Sequence, residues 1–197
     1  MSPIKKNPSL IPVLAVLLGL TIVGGLMLHR IIQMGYLEKG GSLPVYGEMP
    51  SFTLTERSGQ TFGLANLKGR VWVANIIFTR CGGPCPFMSA RAKQLSDKFE
   101  SAVVVSFTSD PDYDTPEVLR KYADRYKADA KRWLFLTGPM EDINRISEGL
   151  MFGRMGQPDM HSTRFTLIDS KSRIRGTYDS NNPEALARLD QDLRALL

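Results

Sequence analysis

Blocks of apolar residues alternate with amphipathic stretches along residues 45–197, and this order predicts alternating strands and helices. Residues 71–78 and 102–107 are apolar and rich in β-branched side chains, which is typical of strands buried on both faces. Further predicted strands cover residues 52–54, 60–62, 133–136, 164–169 and 173–178, and predicted helices cover residues 86–99, 115–126, 141–149 and a closing segment from Pro183. A mixed sheet with helices around it follows from this order.

The two ends of this region differ from its middle, because each end predicts an antiparallel hairpin. Ser58 and Gly59 separate the first two short strands, and a short Ser/Lys turn separates residues 164–169 from 173–178. The middle strands are each followed by a helix, which favours parallel pairing. We therefore predict an α/β, thioredoxin-like fold, a central mixed β-sheet flanked by helices, with an N-terminal transmembrane helix before it.

The transmembrane helix is predicted from residues 10–28, a stretch of 19 residues without a charged side chain. That length crosses the hydrocarbon core of a bilayer as a helix. Lys5 and Lys6 precede it, which favours an N-terminus inside and a domain outside. A cleaved signal peptide is the alternative, but its apolar core is usually shorter, and no Ala-x-Ala site follows Leu28.

These patterns divide the chain into a cytoplasmic N-terminus over residues 1–9, an anchor over 10–28, a linker over 29–44 and one domain over 45–197. The linker and the residues after it are rich in Gly and Pro and lack periodicity. An anchor and a signal peptide both place the domain in an extracytoplasmic compartment that permits disulfides. We expect a single-pass protein of the cell inner membrane with its domain on the periplasmic side.

Charge argues against a nucleic-acid partner, although the chain is basic overall, with a formal net charge of +5. Lys5, Lys6, Arg30 and Lys39 against Glu38 give residues 1–40 a net charge of +3, which leaves +2 for residues 41–197. The domain therefore has no basic stripe of the kind that follows a phosphate backbone.

The chain has two cysteines, Cys81 and Cys85, in the turn between the strand at 71–78 and the helix predicted from Pro86. Cys85 is expected to cap that helix, where the partial positive charge of a helix N-terminus stabilises a thiolate that can bind a metal or attack a disulfide. A structural disulfide or two inert thiols are the alternatives. Because a loop this short contributes little chain entropy when it is closed, reversible chemistry is the better interpretation.

His161 is the only histidine in residues 45–197, since the other one, His29, lies at the end of the predicted anchor. It stands in a Gly- and Pro-containing loop before the strand at 164–169, a loop that can face the cysteine turn. Two thiolates and one imidazole form a soft set suited to Cu(I), and with additional ligation to Cu(II). Zinc competes, but a structural zinc site normally takes four protein ligands. Met155 and Met160 are left out of the predicted set, because methionine in such a loop more often packs.

Several ordered motifs together resemble the SCO/SenC family, whose members are membrane-anchored thioredoxin-fold factors for copper-site assembly in cytochrome c oxidase. The resemblance covers most of residues 45–197. It is carried by Phe78-Thr79-x-Cys81-x-x-x-Cys85-Pro86, Ser109-Asp110-Pro111-x-x-Asp114-Thr115-Pro116-Glu117-x-Leu119, Trp133-x-x-Leu136-Thr137-Gly138, His161-Ser162 leading to Leu167-Ile168-Asp169, and Arg173-Ile174-Arg175-Gly176. One departure is that the family commonly has proline directly after the first cysteine, where this chain has Gly82.

The resemblance implies that Cys81, Cys85 and His161 bind copper, as Cu(I), Cu(II) or both, and that the two cysteines can cycle between dithiol and disulfide. It implies a copper-binding chaperone that assists assembly of the oxidase copper centre by copper delivery, thiol reduction or both. The implied partners are the copper-bearing subunit of cytochrome c oxidase and, beyond it, other copper chaperones or thioredoxin-like reductases. No nucleic acid is expected.

A metal-independent, extracytoplasmic thiol-disulfide oxidoreductase is the main alternative function, with Cys81 and Cys85 as its redox pair. Thioredoxin-type reductases resemble one another in a cis-proline just before the strand that faces the active site, whereas His161-Ser162-Thr163 stands there in this chain. A redox or copper sensor that only docks partners is a third hypothesis. Asp110 and Asp114 are interpreted as a turn and a helix start, without a catalytic role.

Overall fold

The computed structural model describes residues 17–19, 21–29, 43–153 and 162–197. It divides the chain into two units, residues 1–42 and residues 43–197. In the first unit, residues 17–19 and 21–29 are helical and their side chains are exposed. None of the helices in the described residues has the length and apolar character to cross a membrane. Residues 10–16 and residue 20 of the predicted anchor, and residues 30–42 of the linker, lie outside the described residues, so the anchor stays a prediction.

The described part of the second unit forms one eight-stranded sheet with the order β1-β8-β7-β4-β5-β6-β2-β3. The strands are β1 (Gly47–Glu48), β2 (Thr53–Glu56), β3 (Thr61–Gly63), β4 (Trp72–Ile77), β5 (Val103–Thr108), β6 (Trp133–Thr137), β7 (Arg164–Ile168) and β8 (Arg173–Asp179). The α-helices of this unit are α1 (Cys85–Lys98), α2 (Pro116–Arg125), α3 (Met140–Gly149) and α4 (Pro183–Leu196), and a 3₁₀ turn covers Leu64–Leu67. Each strand and helix predicted for residues 45–197 is present, with ends that differ by at most two residues.

The sheet is mixed, as predicted. Strand β4 pairs in parallel with β5, and β5 with β6, because a helix follows each of the first two strands. Strands β7 and β8 form the predicted antiparallel hairpin, and β7 pairs antiparallel with β4. The first hairpin, β2 with β3, turns through Gly59, whose φ of +86° lies in the left-handed region that glycine occupies at little cost.

Helices cover both faces of the sheet, which explains the apolar sequence of the central strands. Along β4, Val73 and Ile77 pack with residues of α1, α2 and α4 on one face, while Trp72, Ala74 and Ile76 pack with residues of α3 on the other. All residues of β4, β5 and β6 are buried. A strand buried on both faces has no polar alternation, and for this reason the sequence of residues 71–78 reads as one apolar run.

The ends of β4 and β5 and the start of β7 lie at one edge of the sheet. The carboxyl ends of β4 and β5 meet there, since these strands are parallel with Ile77 opposite Thr108. The chain also enters β7 at this edge, because β7 runs antiparallel to β4 with Ala74 opposite Thr166. The turn with the two cysteines, the segment after β5 and the start of β7 are thus neighbours.

Candidate dithiol and metal site

The two cysteines lie at the exit of β4, in the loop over residues 78–84 and at the first residue of α1. The Cys81 amide donates to the Phe78 carbonyl over 3.2 Å and closes a tight turn. Pro84 is the N-cap of α1 and Cys85 its first residue, so the prediction that Cys85 itself is the cap was wrong by one position. Pro86 occupies the first turn, where its missing N–H costs no helix bond.

The two thiols are adjacent but differ in access. The Cys81 and Cys85 thiols are close enough for Cys81 to raise the pKa of Cys85, and both are free of a disulfide. Cys81 is 9% exposed, whereas Cys85 is 0% exposed. The Gly83 amide donates to the Cys81 sulfur over 3.4 Å. A molecule that approaches from solvent therefore meets Cys81 first, with Cys85 behind it.

The prediction of a stabilised thiolate at Cys85 was wrong for this reduced, paired state. Burial, with a smaller contribution from the neighbouring Cys81 thiol, raises the pKa of Cys85 to about 12 from an ordinary value of 9.0, although the Phe78 amide lowers it in part. Burial removes water from a thiolate and costs more than the helix N-terminus returns. Cys85 is thus a protonated inner thiol at neutral pH in this reduced state.

The inner side of the pair is apolar. Both cysteines belong to the core cluster that contains Ile77, Met88 and Phe165. Beside Cys85, the buried hydroxyls of Ser89 and Tyr122 share a hydrogen bond of 2.8 Å, and burial raises the pKa of Tyr122. These surroundings exclude water from Cys85. They therefore suit a site built on sulfur, a soft ligand, better than a site built on hard oxygen donors.

A buried carboxylate holds the residue two positions before Cys81. Asp114 is 0% exposed and accepts hydrogen bonds from the Thr79 amide at 3.1 Å, from the Thr79 hydroxyl, and from the Thr108 hydroxyl at 2.5 Å. Burial raises the pKa of Asp114, and the bonds from Thr108 and Thr79 lower it in part. Asp114 thus ties the cysteine turn to the end of β5.

The next residue, Arg80, is held from the same segment. Arg80 donates through Nε to Asp110 Oδ2 over 2.6 Å, and its guanidinium lies over the Tyr113 ring at 4.6 Å from the centroid. The Asp110 carboxylate is 4% exposed, while the Arg80 side chain is 55% exposed. The turn and helix start predicted for Asp110 and Asp114 are present, with Thr115 as the N-cap of α2, but both side chains also reach the cysteine turn.

Sequence reasoning missed this second contact, although a signal was available. The motif from Ser109 to Pro116 follows β5 directly, and the cysteine turn follows β4. Predicted parallel neighbours place the two following segments at one edge of the sheet, where polar side chains on one can bind the other.

His161 lies outside the described residues. The next residues, Ser162 and Thr163, lead into β7 at the edge where the cysteine turn leaves β4. Across residues 17–19, 21–29, 43–153 and 162–197, the structure contains no group of three His, Cys, Asp or Glu side chains arranged to hold a metal ion. The structure brings Cys81 and Cys85 together, and the predicted ligand His161 stays a prediction.

A thioredoxin-like sheet with a paired dithiol between its first parallel strand and the following helix defines the class of thioredoxin-fold dithiol proteins. The family model described as SCO1/SenC matches residues 44–196. The chain therefore belongs to the SCO1/SenC family, as its motifs indicated.

Individual relatives agree with this assignment. The chain is similar to a SCO1 protein homolog of Bacillus subtilis, with 37% identity over 146 residues, covering 69% of this chain and 76% of the relative. It is similar at 30% identity, covering 68% and 70%, to a protein of Stutzerimonas stutzeri named as a candidate copper-binding protein. Among solved structures, it is similar to BsSco, described as a member of the Sco family of cytochrome c oxidase assembly proteins with a disulfide switch: 28% identity, TM-score 0.69, covering 79% of this chain and 95% of that one.

Proposed function

We propose that this protein binds copper through Cys81, Cys85 and His161 and assists assembly of the copper centre of cytochrome c oxidase. The observation that carries the proposal is the pair of neighbouring cysteines, Cys81 slightly exposed and Cys85 fully buried, at the edge where the chain enters β7. Support comes from relatives named for copper binding and for oxidase assembly.

The donor set fits copper as cargo. Two sulfurs and one imidazole match the preference of Cu(I) for soft ligands. Three ligands are one fewer than a structural zinc site normally has. Both thiols lose their protons when they bind the metal, so loading releases protons and weakens at low pH. Because Cys81 is the accessible sulfur, the ligand that a recipient replaces first is Cys81, while Cys85 still holds the ion.

Membrane attachment is part of the proposal and depends on the sequence. Residues 10–28 carry no charge over a bilayer-spanning length, and residues 5–6 are both lysine. We propose a single span in the cell inner membrane with the domain on the periplasmic side, close to a membrane-bound oxidase. The recipient is then the copper-bearing subunit of that enzyme.

Thiol-disulfide exchange is the second candidate function, and one observation favours it. The two thiols are both free of a disulfide and lie next to each other, since Cys81 is one of the groups that raise the pKa of Cys85, so a disulfide can close between them. The BsSco structure is described in terms of a disulfide switch. In this function Cys81 attacks the disulfide of a partner, and Cys85 then resolves the mixed disulfide, so the partner receives two electrons and this protein becomes the disulfide.

The test is copper stoichiometry of the reduced, full-length protein in detergent, loaded separately with Cu(I) and Cu(II). We expect one copper per chain, and large losses of affinity in Cys81→Ser, Cys85→Ser and His161→Ala. His29→Ala is the matched control, because it removes the other histidine, and it should bind like the wild type. Wild-type binding by Cys81→Ser or His161→Ala would contradict the proposed ligand set.

The same variants separate the two functions. Disulfide exchange needs Cys81 and Cys85 but not His161. Full exchange activity of His161→Ala, together with failure of the wild-type protein to bind copper, would replace metal delivery by the oxidoreductase function.

A further inference from the structure

We propose that Asp114 and Asp110 are positioning residues for the cysteine pair, which set the separation and orientation of the two sulfurs by holding Thr79 and Arg80. The inference deepens the proposed function and rests on it for the copper readout, but not for the disulfide readout. Neither aspartate touches a sulfur or a cargo ion in this role; each acts through the backbone that carries Cys81.

The two sulfurs are held unequally by the fold. Cys85 is fixed by α1, whose buried face includes Met88, Ala92 and Leu95. Cys81 precedes Gly82 and Gly83, which are exposed and have no side chains to pack. A glycine pair gives the chain wide conformational freedom, so the segment on this side holds Cys81 only through the 3.4 Å hydrogen bond from the Gly83 amide to the sulfur. Its placement depends on residues 78–80.

Both residues directly before Cys81 are bound by the segment after β5. Thr79 gives its amide and hydroxyl to Asp114, and Arg80 gives Nε to Asp110. Thr108 joins the two aspartates, because its hydroxyl donates to Asp114 and accepts from the Asp110 amide at 2.9 Å. One connected network therefore holds two consecutive residues from two directions, which fixes the path of the chain into Cys81.

Burying the Asp114 carboxylate costs free energy, which indicates that its role is not simply to stabilise the fold. Its hydrogen-bond donors are neutral amide and hydroxyl groups, and burial raises its pKa. Asp169 provides a contrast in the same domain: it is also buried, but two arginines, Arg173 and Arg175, bind it and help to lower its pKa to about 2. Asp169 lies beyond the end of β7 that pairs with Trp72, at the opposite edge of the sheet from the cysteines.

This contrast gives a matched pair of variants, Asp114→Asn and Asp169→Asn, each of which removes one buried charge from the full-length protein. The first readout is the equilibrium between the dithiol and the Cys81–Cys85 disulfide in dithiothreitol buffers. The second is Cu(I) affinity in competition with a chelator. For Asp114→Asn, we expect the disulfide and the Cu(I) complex each to weaken about tenfold, because a loosened Cys81 has a lower effective concentration beside Cys85. For Asp169→Asn, we expect a lower Tm but wild-type values for both readouts.

Substitutions at Thr79 test the same contact without touching a carboxylate. Thr79→Val keeps the amide and the shape but loses the hydroxyl donor, and it should shift the disulfide equilibrium in the same direction as Asp114→Asn. Thr79→Ser keeps the donor and should restore the wild-type value. If Asp114→Asn does not fold, this pair carries the test.

The outcomes are separable. Equal shifts in Asp114→Asn and Asp169→Asn, or a wild-type disulfide equilibrium in both Asp114→Asn and Thr79→Val, would overturn the positioning role. Absence of copper binding by the wild-type protein would defeat the proposed function, while the disulfide equilibrium would still decide whether Asp114 positions the pair.

Discussion

Selective alkylation offers a direct test of the inner and outer thiols. At pH 8, a group with a pKa of about 12 carries roughly 1000-fold less thiolate than one with the ordinary value of 9.0. Only the thiolate reacts with iodoacetamide at a useful rate. We therefore expect Cys85 in the folded, reduced protein to react at least about 1000-fold more slowly than Cys85 in the same protein unfolded in guanidinium, since zero exposure slows the reagent further.

The assay uses the full-length protein, reduced and treated with a copper chelator, then exposed to iodoacetamide for a series of times. Quenched samples are digested, and mass spectrometry gives the modified fraction at each cysteine. Cys81→Ser and Cys85→Ser isolate the two reactions. Cys81 should be modified first, and the rate at Cys85 should rise about tenfold for each pH unit between pH 8 and 10, because its thiolate fraction rises by that factor.

Two results would refute this reasoning. Modification of Cys85 in the folded protein at the rate found for the unfolded chain would show that burial does not suppress its thiolate. Modification of Cys85 before Cys81 would reverse the order of access, and with it the order of ligand exchange proposed above.

Two further predictions concern stability. The pKa of Asp169 is lowered to about 2, because hydrogen bonds from Arg173 and Arg175 outweigh the effect of burial. The Asp169 carboxylate therefore contributes about 2 kcal/mol to the free energy of unfolding above pH 4, and this contribution is lost as the pH falls toward 2. Urea unfolding at pH 6 and pH 3 should show a smaller pH dependence in Asp169→Asn than in the wild type. Gly176→Ala should cost about 1–3 kcal/mol by thermal unfolding, because the new Cβ would lie 2.6 Å from Tyr178 Cζ and displace a ring whose hydroxyl donates to Asp192.

Each of these predictions has an internal comparison. The sign for Asp169 follows from a lowered carboxyl pKa. A larger difference in stability between the wild type and Asp169→Asn at pH 3 than at pH 6 would contradict it. For Gly176, the control is Gly47→Ala in β1, where the nearest atom to a new Cβ is 3.9 Å away. Equal melting temperatures of the two alanine variants would show that the Tyr178 ring yields without cost.

Most of the fold was predictable because its strands are buried on both faces and its helices have clear ends. Residues 71–78 and 102–107 contain no polar alternation, and a sheet covered by helices on both sides accounts for this. The start of α2 followed from Thr115 and Pro116, and that of α4 from Pro183, because proline favours the first turn of a helix; the structure adds Asn182 as the N-cap of α4. The predicted start of α1 was off by one residue, because its N-cap is Pro84, which makes no side-chain capping hydrogen bond.

The chemistry of the site was less predictable, since it depends on burial and on contacts across the sheet. The sequence places Cys85 at a helix N-terminus, which favours a thiolate, but it does not give the depth of the core that surrounds the sulfur. The structure shows that desolvation dominates and raises the pKa of Cys85. In the same way, Asp114 is thirty-five positions from Thr79 in the chain, and only the parallel pairing of β4 with β5 brings the two together.

The unequal pair of thiols links the two proposed functions through one physical feature. A protonated, sealed Cys85 does not react with outside disulfides, so the pair is protected from random exchange while Cys81 remains reachable. In the two proposed functions, copper loading and disulfide closure would both begin at Cys81 and finish when Cys85 gives up its proton. Because α1 holds Cys85 in the core, the Cys85 sulfur cannot move toward Cys81. Each event therefore needs Cys81 to lie close to Cys85. This makes the position of residues 79 and 80 the variable that sets both equilibria, and it predicts that changes in the segment after β5 alter copper affinity and disulfide stability together, whichever of the two the cell uses.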